Sequence, residues 1–224
     1  MLSLRHTLVA AALTAAAACA FSAPANAAPT CGSGTYAYAG FDGTSASRGV
    51  SATIEQAGPL QVRSGHVAGW VGVVSPDASA WLQVGLSALT NDTTSAIYYE
   101  VAFPGKAPAY HVVRRFVGAG EPHRVAVLEQ PWNPGWWVVW VDGEPVGEPM
   151  HLAGSDRRWT AQVLGESWAG ATSGTCNAYT YGFSGVSVLS AGRRHAGARQ
   201  LARVDDPNYV VLRSSRSSFT AGSA

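Results

Sequence analysis

The run Trp70–Leu86, WVGVVSPDASAWLQVGL, decides the fold. Its second half, Trp81-Leu82-Gln83-Val84-Gly85-Leu86, reads as a strand, and successive side chains on a strand point to opposite faces. One face then carries Trp81, Gln83, Gly85 and Ser87, and the other Leu82, Val84, Leu86 and Ala88. The second set is a core face. Gln83 therefore looks away from the core, beside a tryptophan, on a face that is neither ordinary core nor ordinary charged surface.

The same period of two recurs on both sides of this run. Between Thr35 and Leu189 there is almost no helical periodicity, but there are many short runs rich in Val, Trp, Tyr and Thr, separated by Gly, Pro, Asn and Asp. Strands are expected at YAYAGF, VSATIEQ, GHVAGWVGVV, AWLQVGLSAL, SAIYYEVAF, AYHVVRRF, HRVAVLEQ, WWVVWVDG, PMHL, WTAQVLGESW and AYTYGFSGVSVL. Asp142-Gly143 is the clearest hairpin turn pair. The expected class is all-β, an antiparallel β-sandwich or jelly roll of the concanavalin A-like kind, in one domain over residues 28–190.

Alternation also sorts the polar residues. Tyr98 and Glu100 share a face opposite Tyr99, Val101 and Phe103; His66 and Trp70 lie opposite Val67, Val71 and Val73. Gln162, Leu164, Glu166 and Trp168 alternate with Ala161, Val163, Gly165 and Ser167, where the small-residue face suits either side. If these strands are neighbours, they form a groove lined by Trp70, Trp81, Tyr98 and Trp168, with Gln83, Glu100 and Glu166 at its floor.

The flanks set the compartment. The N-terminus has a basic start at Arg5 and His6, an Ala/Leu/Val-rich run, and the A-x-A pattern Ala25-Asn26-Ala27, which reads as a signal peptide over residues 1–27. A lipoprotein reading with Cys19 as the modified residue is the poorer alternative, because the residues before it are alanines. The expected location is secreted, with no membrane span. Cys31 and Cys176 are then the mature cysteines, and an exported chain joins them. Such a bond closes a long loop and stabilises by about 4 kcal/mol in the chain-entropy model. Residues 191–224 are rich in arginine and poor in large apolar residues, so they read as a flexible tail in which NYVVLR alone suits a strand. With 13% charged residues and a net charge of +1, the chain has no electrostatic footprint for nucleic acid. A monomer is expected.

Residue types limit the chemistry. The six histidines are scattered, with no ligand spacing for a metal. No G-x-S-x-G elbow is present. Two-carboxylate chemistry remains: a glutamate on an aromatic-lined sheet has its ionised form disfavoured by desolvation and serves as general acid or base in peptide or glycoside hydrolysis. Solvated carboxylates on the wet face of a sheet are the alternative for Glu100 and Glu166. The residues by themselves leave open a peptidase, a glycosidase or sugar-binding module acting on polysaccharide, and a structural sandwich. Trp136, Trp137 and Trp140 read as packed core and sheet edge. His66, His111, His123 and His151 show no partner sets, and Asn91-Asp92-Thr93 matches a glycosylation sequon that serves equally as a turn.

The ordered set YAG (Tyr38–Gly40), WVG (Trp70–Gly72), LQVG (Leu82–Gly85), YYEVAFP (Tyr98–Pro104) and AQVLGES (Ala161–Ser167) resembles the glutamic peptidases, or eqolisins. These are secreted β-sandwich enzymes with a glutamine and glutamate pair in the active site. The resemblance implies that Gln83 and Glu166 are the catalytic pair and Glu100 a supporting carboxylate. It also implies that Trp70, Trp81, Tyr98, Trp168 and Tyr38 bind a polypeptide substrate, at acidic pH and without a cofactor. Tyr38 stands where the family has Trp, Val74 where an acidic residue follows WVG, and Ala161-Gln162 where the family has EW before the catalytic Glu.

Overall fold

Every run singled out by alternation forms a strand in the computed structural model, which describes residues 30–156, 158–170, 174–190, 193–196 and 200–224. The signal-peptide reading and Cys19 lie outside the described residues. In chain order the strands are β1 (Thr30–Cys31), β2 (Tyr36–Ala46), β3 (Gly49–Gln56), β4 (His66–Val74), β5 (Trp81–Leu89) and β6 (Ser95–Ala102). Then come β7 (Ala109–Val117), β8 (His123–Glu129), β9 (Trp136–Val141), β10 (Glu144–His151), β11 (Thr160–Trp168) and β12 (Gly174–Thr175). The last are β13 (Thr180–Ser190), β14 (Arg193–Ala196), β15 (Gln200–Val204), β16 (Tyr209–Arg213) and β17 (Phe219–Ser223).

Two antiparallel sheets form the sandwich. One runs β15-β2-β11-β4-β5-β6-β7; the other runs β10-β9-β8-β3-β13-β17-β16, with β14 beside β13. The core between them is built from the faces that alternation assigns to it: Leu82, Val84 and Leu86 of β5 are fully buried against Ile54, Val125 and Val139 of the opposite sheet. Each such side chain contributes about 1.5–3 kcal/mol by leaving water. Asp142 and Gly143 both have positive φ, at 52° and 92°, which gives the β9–β10 turn the twist that a two-residue hairpin needs. Cys31 and Cys176 are bonded, joining the short β1–β12 ribbon across a separation of 145 residues.

Two glycines let strands and rings approach. A Cβ on Gly69 would meet the Tyr181 ring at 2.6 Å, so the core tyrosine lies directly on the β4 backbone. A Cβ on Gly85 would lie 2.0 Å from the Gly69 carbonyl oxygen and 2.7 Å from Trp70 Cα, both backbone atoms that cannot yield alone. Gly85→Ala is expected to cost about 3 kcal/mol or more by overpacking, lowering Tm by roughly 6–12 °C in a chain of this length, as read by a thermal melt.

The reading of residues 191–224 as a flexible tail is corrected. NYVVLR does form β16, but β15 also adds an edge strand to one sheet beside β2, and β17 sits between β13 and β16 in the other. Tyr209, Phe219 and Ala221 are buried, with Phe219 stacked on Phe183 at 4.6 Å and edge-on to Phe41 at 4.8 Å. A strand needs apolar side chains on one face only, and Phe219 and Ala221 in FTAGS meet that need despite the polar composition around them.

Candidate active site

Strands β11, β4, β5 and β6 are consecutive neighbours, so the four polar-aromatic faces fall side by side. Register arranges them in rows across the sheet: Gln162, Gly72, Gln83 and Glu100; then Leu164, Trp70, Gly85 and Tyr98; then Glu166, Ala68 and Ser87; then Trp168, His66 and Leu89. The middle strands put Gly72, Gly85, Ala68 and Ser87 at the centre of this face. Small residues between large ones leave a hollow. It has two adjoining lobes of about 390 and 260 Å³, and His66, Gln83, Glu100 and Glu166 line both.

Glu166 is buried at 5% exposure, and both its oxygens are held. Oε1 lies 2.8 Å from His66 Nε2, and Oε2 accepts the Trp70 indole N–H at 2.7 Å. A carboxylate has about four acceptor positions, so two remain for a water or a substrate N–H. Gln83, 7% exposed, donates from Nε2 to the Tyr98 hydroxyl at 3.0 Å. That bond fixes the amide plane and leaves one N–H and the carbonyl oxygen uncommitted. Tyr98 is itself held under Tyr110, ring to ring at 5.0 Å, and Tyr110 shares a 2.7 Å hydrogen bond with Ser87.

Burial, and then the charge of Glu166, raise the Glu100 carboxyl above the ordinary carboxylate range, while His66 and the hydrogen bond from Trp81 act against the rise. Tyr38 is raised as well, by burial first and the Glu166 charge second. A raised carboxyl favours folding fully below its unfolded pKa and loses that contribution as pH rises through the folded value. Glu100→Gln is therefore expected to raise Tm more at neutral than at acidic pH, a difference read by melts at both. The turn beside the larger lobe behaves oppositely. Hydrogen bonds from Ser75 and then Ser79 lower Asp77 to about 2, so its contribution persists above the ordinary Asp range and fades only as pH falls through that value.

The residues expected from sequence are brought together with two differences. Gln83, Glu100, Glu166, Trp70, Trp81, Tyr98 and Tyr38 all line the cavity. Trp70 and Tyr98 are buried, however, at 4% and 2%, and act through their polar atoms as floor, not as exposed stacking platforms. Trp168 does not line it; one row beyond Glu166 on the same face, it packs against Tyr36 at 6.1 Å and His66 at 5.6 Å. The reading of the histidines as partnerless is corrected for His66, which meets Glu166, and for His123, which is buried and lies 2.7 Å from Asp142. The signal for His66 was its place on the Trp70 face of β4. Arg203 of β15, stacked over the Tyr38 ring at 4.3 Å, was hidden inside the supposed tail. Gln162, in the family's EW position, donates to Asp42 at 2.7 Å. Val74 lines the larger lobe and brings no acid to it. Among the described residues no group of three or more His, Cys, Asp or Glu is placed to hold a metal ion.

No protein-family model matches the sequence, and no curated protein matches it. Solved structures do. A scytalidoglutamic peptidase with a transition state analog inhibitor matches at 16% identity and a TM-score of 0.61, over 85% of this chain and 100% of that one. The same kind of peptidase with a peptide-based transition state analog matches at 14% identity and 0.59, over 85% and 98%. SCP-B, of the eqolisin family, with a bound tripeptide, matches at 14% and 0.56, over 85% and 98%. A Bacillus licheniformis β-glucanase aligns with a TM-score of only 0.36, too low to argue from. At these identities the likeness is one of architecture, and in architecture the chain is a glutamic-peptidase-like β-sandwich.

Proposed function

We propose that this protein is a secreted endopeptidase, acting at acidic pH, that hydrolyses peptide bonds with Glu166 and Gln83. The observation that carries the reading is the buried Glu166 carboxylate, held on both oxygens by His66 and Trp70, in one cleft with a Gln83 amide anchored on Tyr98. Glu166 removes a proton from a water as its oxygen bonds to the scissile carbonyl carbon, and the C=O electron pair moves to oxygen. The free N–H of Gln83 donates to that oxyanion, a role a neutral amide fills without titrating. As the intermediate collapses and the C–N bond breaks, the Glu166 carboxylic acid returns the proton to the leaving amine. Burial favours the neutral form of Glu100, which limits the negative charge it adds to the cleft at acidic pH. The Cys31–Cys176 bond suits an oxidising compartment. Among the described residues no helix is long and apolar enough to cross a membrane.

The test is digestion of a denatured protein by the purified chain across acidic pH, with Glu166→Gln and Gln83→Ala beside it. Absence of cleavage by the wild type, or cleavage undiminished in both variants, ends the peptidase reading. Glu100 and Glu166 in one cleft also fit glycoside hydrolysis, which needs two carboxyl groups of opposed roles. The two separate on Glu100→Gln: a glycosidase would release sugar from polysaccharide and lose that activity, whereas the peptidase keeps most of its rate.

A further inference from the structure

We propose that His66 is a positioning residue for Glu166, its imidazole holding one carboxylate oxygen while the Trp70 indole holds the other. The inference rests on the peptidase reading of the cleft and deepens it. His66 Nε2 stands 2.8 Å from Oε1, and the histidine side chain is 25% exposed, so it faces the cleft while its partner is 7% exposed. Its ring packs against Tyr36 at 6.0 Å and Trp168 at 5.6 Å, which stack on each other at 6.1 Å, so rings from β4, β2 and β11 form one cluster that supports the imidazole. Asn177 Nδ2 donates to the His66 backbone carbonyl at 3.4 Å and to the Trp168 carbonyl at 3.1 Å, tying the ends of β4 and β11 together behind the pair. Trp168, which does not line the cavity, gains a purpose here as packing for the imidazole.

The arrangement has a mechanical consequence. A carboxylate gripped on one oxygen only can rotate about its last bond, and a general base misplaced by a fraction of an ångström loses rate without losing substrate. Two donors from β4, Trp70 and His66, sit four residues apart and hold the two oxygens of one β11 side chain. It has an electrostatic consequence too. The titratable groups within reach of Glu166 are His66 from β4, Tyr36 and Tyr38 from β2, Tyr98 and Glu100 from β6, and Tyr179 just before β13. Of these the imidazole is the one able to carry a positive charge, and a nearby cation favours the ionised carboxylate.

His66→Ala and His66→Gln separate the two effects. The alanine variant is expected to lose about 10- to 100-fold in kcat with KM changed less than about twofold, and the acidic limb of its pH profile moves to higher pH. The glutamine variant, whose amide nitrogen reaches a similar point, is expected to recover most of kcat while its acidic limb stays displaced, because it restores the donor and not the charge. Wild-type kcat and an unmoved limb in His66→Ala overturn the proposal and leave the peptidase reading standing. If the wild type cleaves nothing, the pairing is still read by nuclear magnetic resonance. The His66 Nε2 resonance moves in Glu166→Gln relative to the wild type if the two groups are partners; an unchanged resonance overturns the proposal.

Discussion

Glu166→Gln is expected to lower kcat for peptide cleavage by about 10³-fold, within the range for removing a general acid and base, with KM changed little. Glutamine keeps the shape of the side chain and still offers an oxygen to the Trp70 indole, so packing around β11 survives and Tm moves by no more than a few degrees. What is lost is the group that takes a proton from water and returns it to the amine. Because that group works only as the transition state forms, the loss falls on kcat and on kcat/KM alike. Gln83→Ala removes one oxyanion donor and is expected to cost about 10²–10³ in kcat. The double variant should be little worse than Glu166→Gln alone, since an oxyanion hole has little to stabilise when no water is activated. Retention of more than about a tenth of wild-type kcat in Glu166→Gln, measured with a quenched peptide at the wild-type optimum, would show that another group is the base.

The parts of this site legible in the sequence were those carried by one strand at a time. Period-two alternation put Gln83 off the core face of β5, Tyr98 with Glu100 on β6, and His66 with Trp70 on β4, and these faces hold in the structure. Which strands are neighbours, and in which register, is a matter of long-range pairing that alternation does not encode. His66 and Glu166 are 100 residues apart in the chain, and their contact exists because β4 and β11 pair with Trp168 opposite His66. The groove depends equally on residues without side-chain chemistry, since Gly72, Gly85 and Ala68 form a hollow only when set in adjacent rows. Burial changed the meaning of some aromatics as well. A tryptophan such as Trp70 reads from sequence as surface for a ligand to stack on, but under 4% exposure its contribution is the indole N–H that holds Glu166.

The C-terminal segment was misread for a compositional reason, and the misreading supplies the other large expected effect. A chain ending at Ser190 is expected not to fold. It would lose β15, which covers the edge of β2 and brings Arg203 over Tyr38, and it would lose β16 and β17 from the opposite sheet. Tyr209 and Phe219 would go, at 1% and 4% exposure, and Phe41, Phe183 and Tyr179, which pack against them, would be uncovered. At about 1.5–3 kcal/mol for each large apolar side chain returned to water, the loss is on the order of 5–10 kcal/mol, comparable with the whole stability of a typical domain. The active strand would feel it directly: the Tyr209 hydroxyl donates to Ser167 Oγ at 2.9 Å, from the core side of the residue next to Glu166. Circular dichroism and limited proteolysis of the shortened chain give the readout. Cooperative melting within a few degrees of the full chain would mean that these strands decorate the sandwich; their burial says that they complete it.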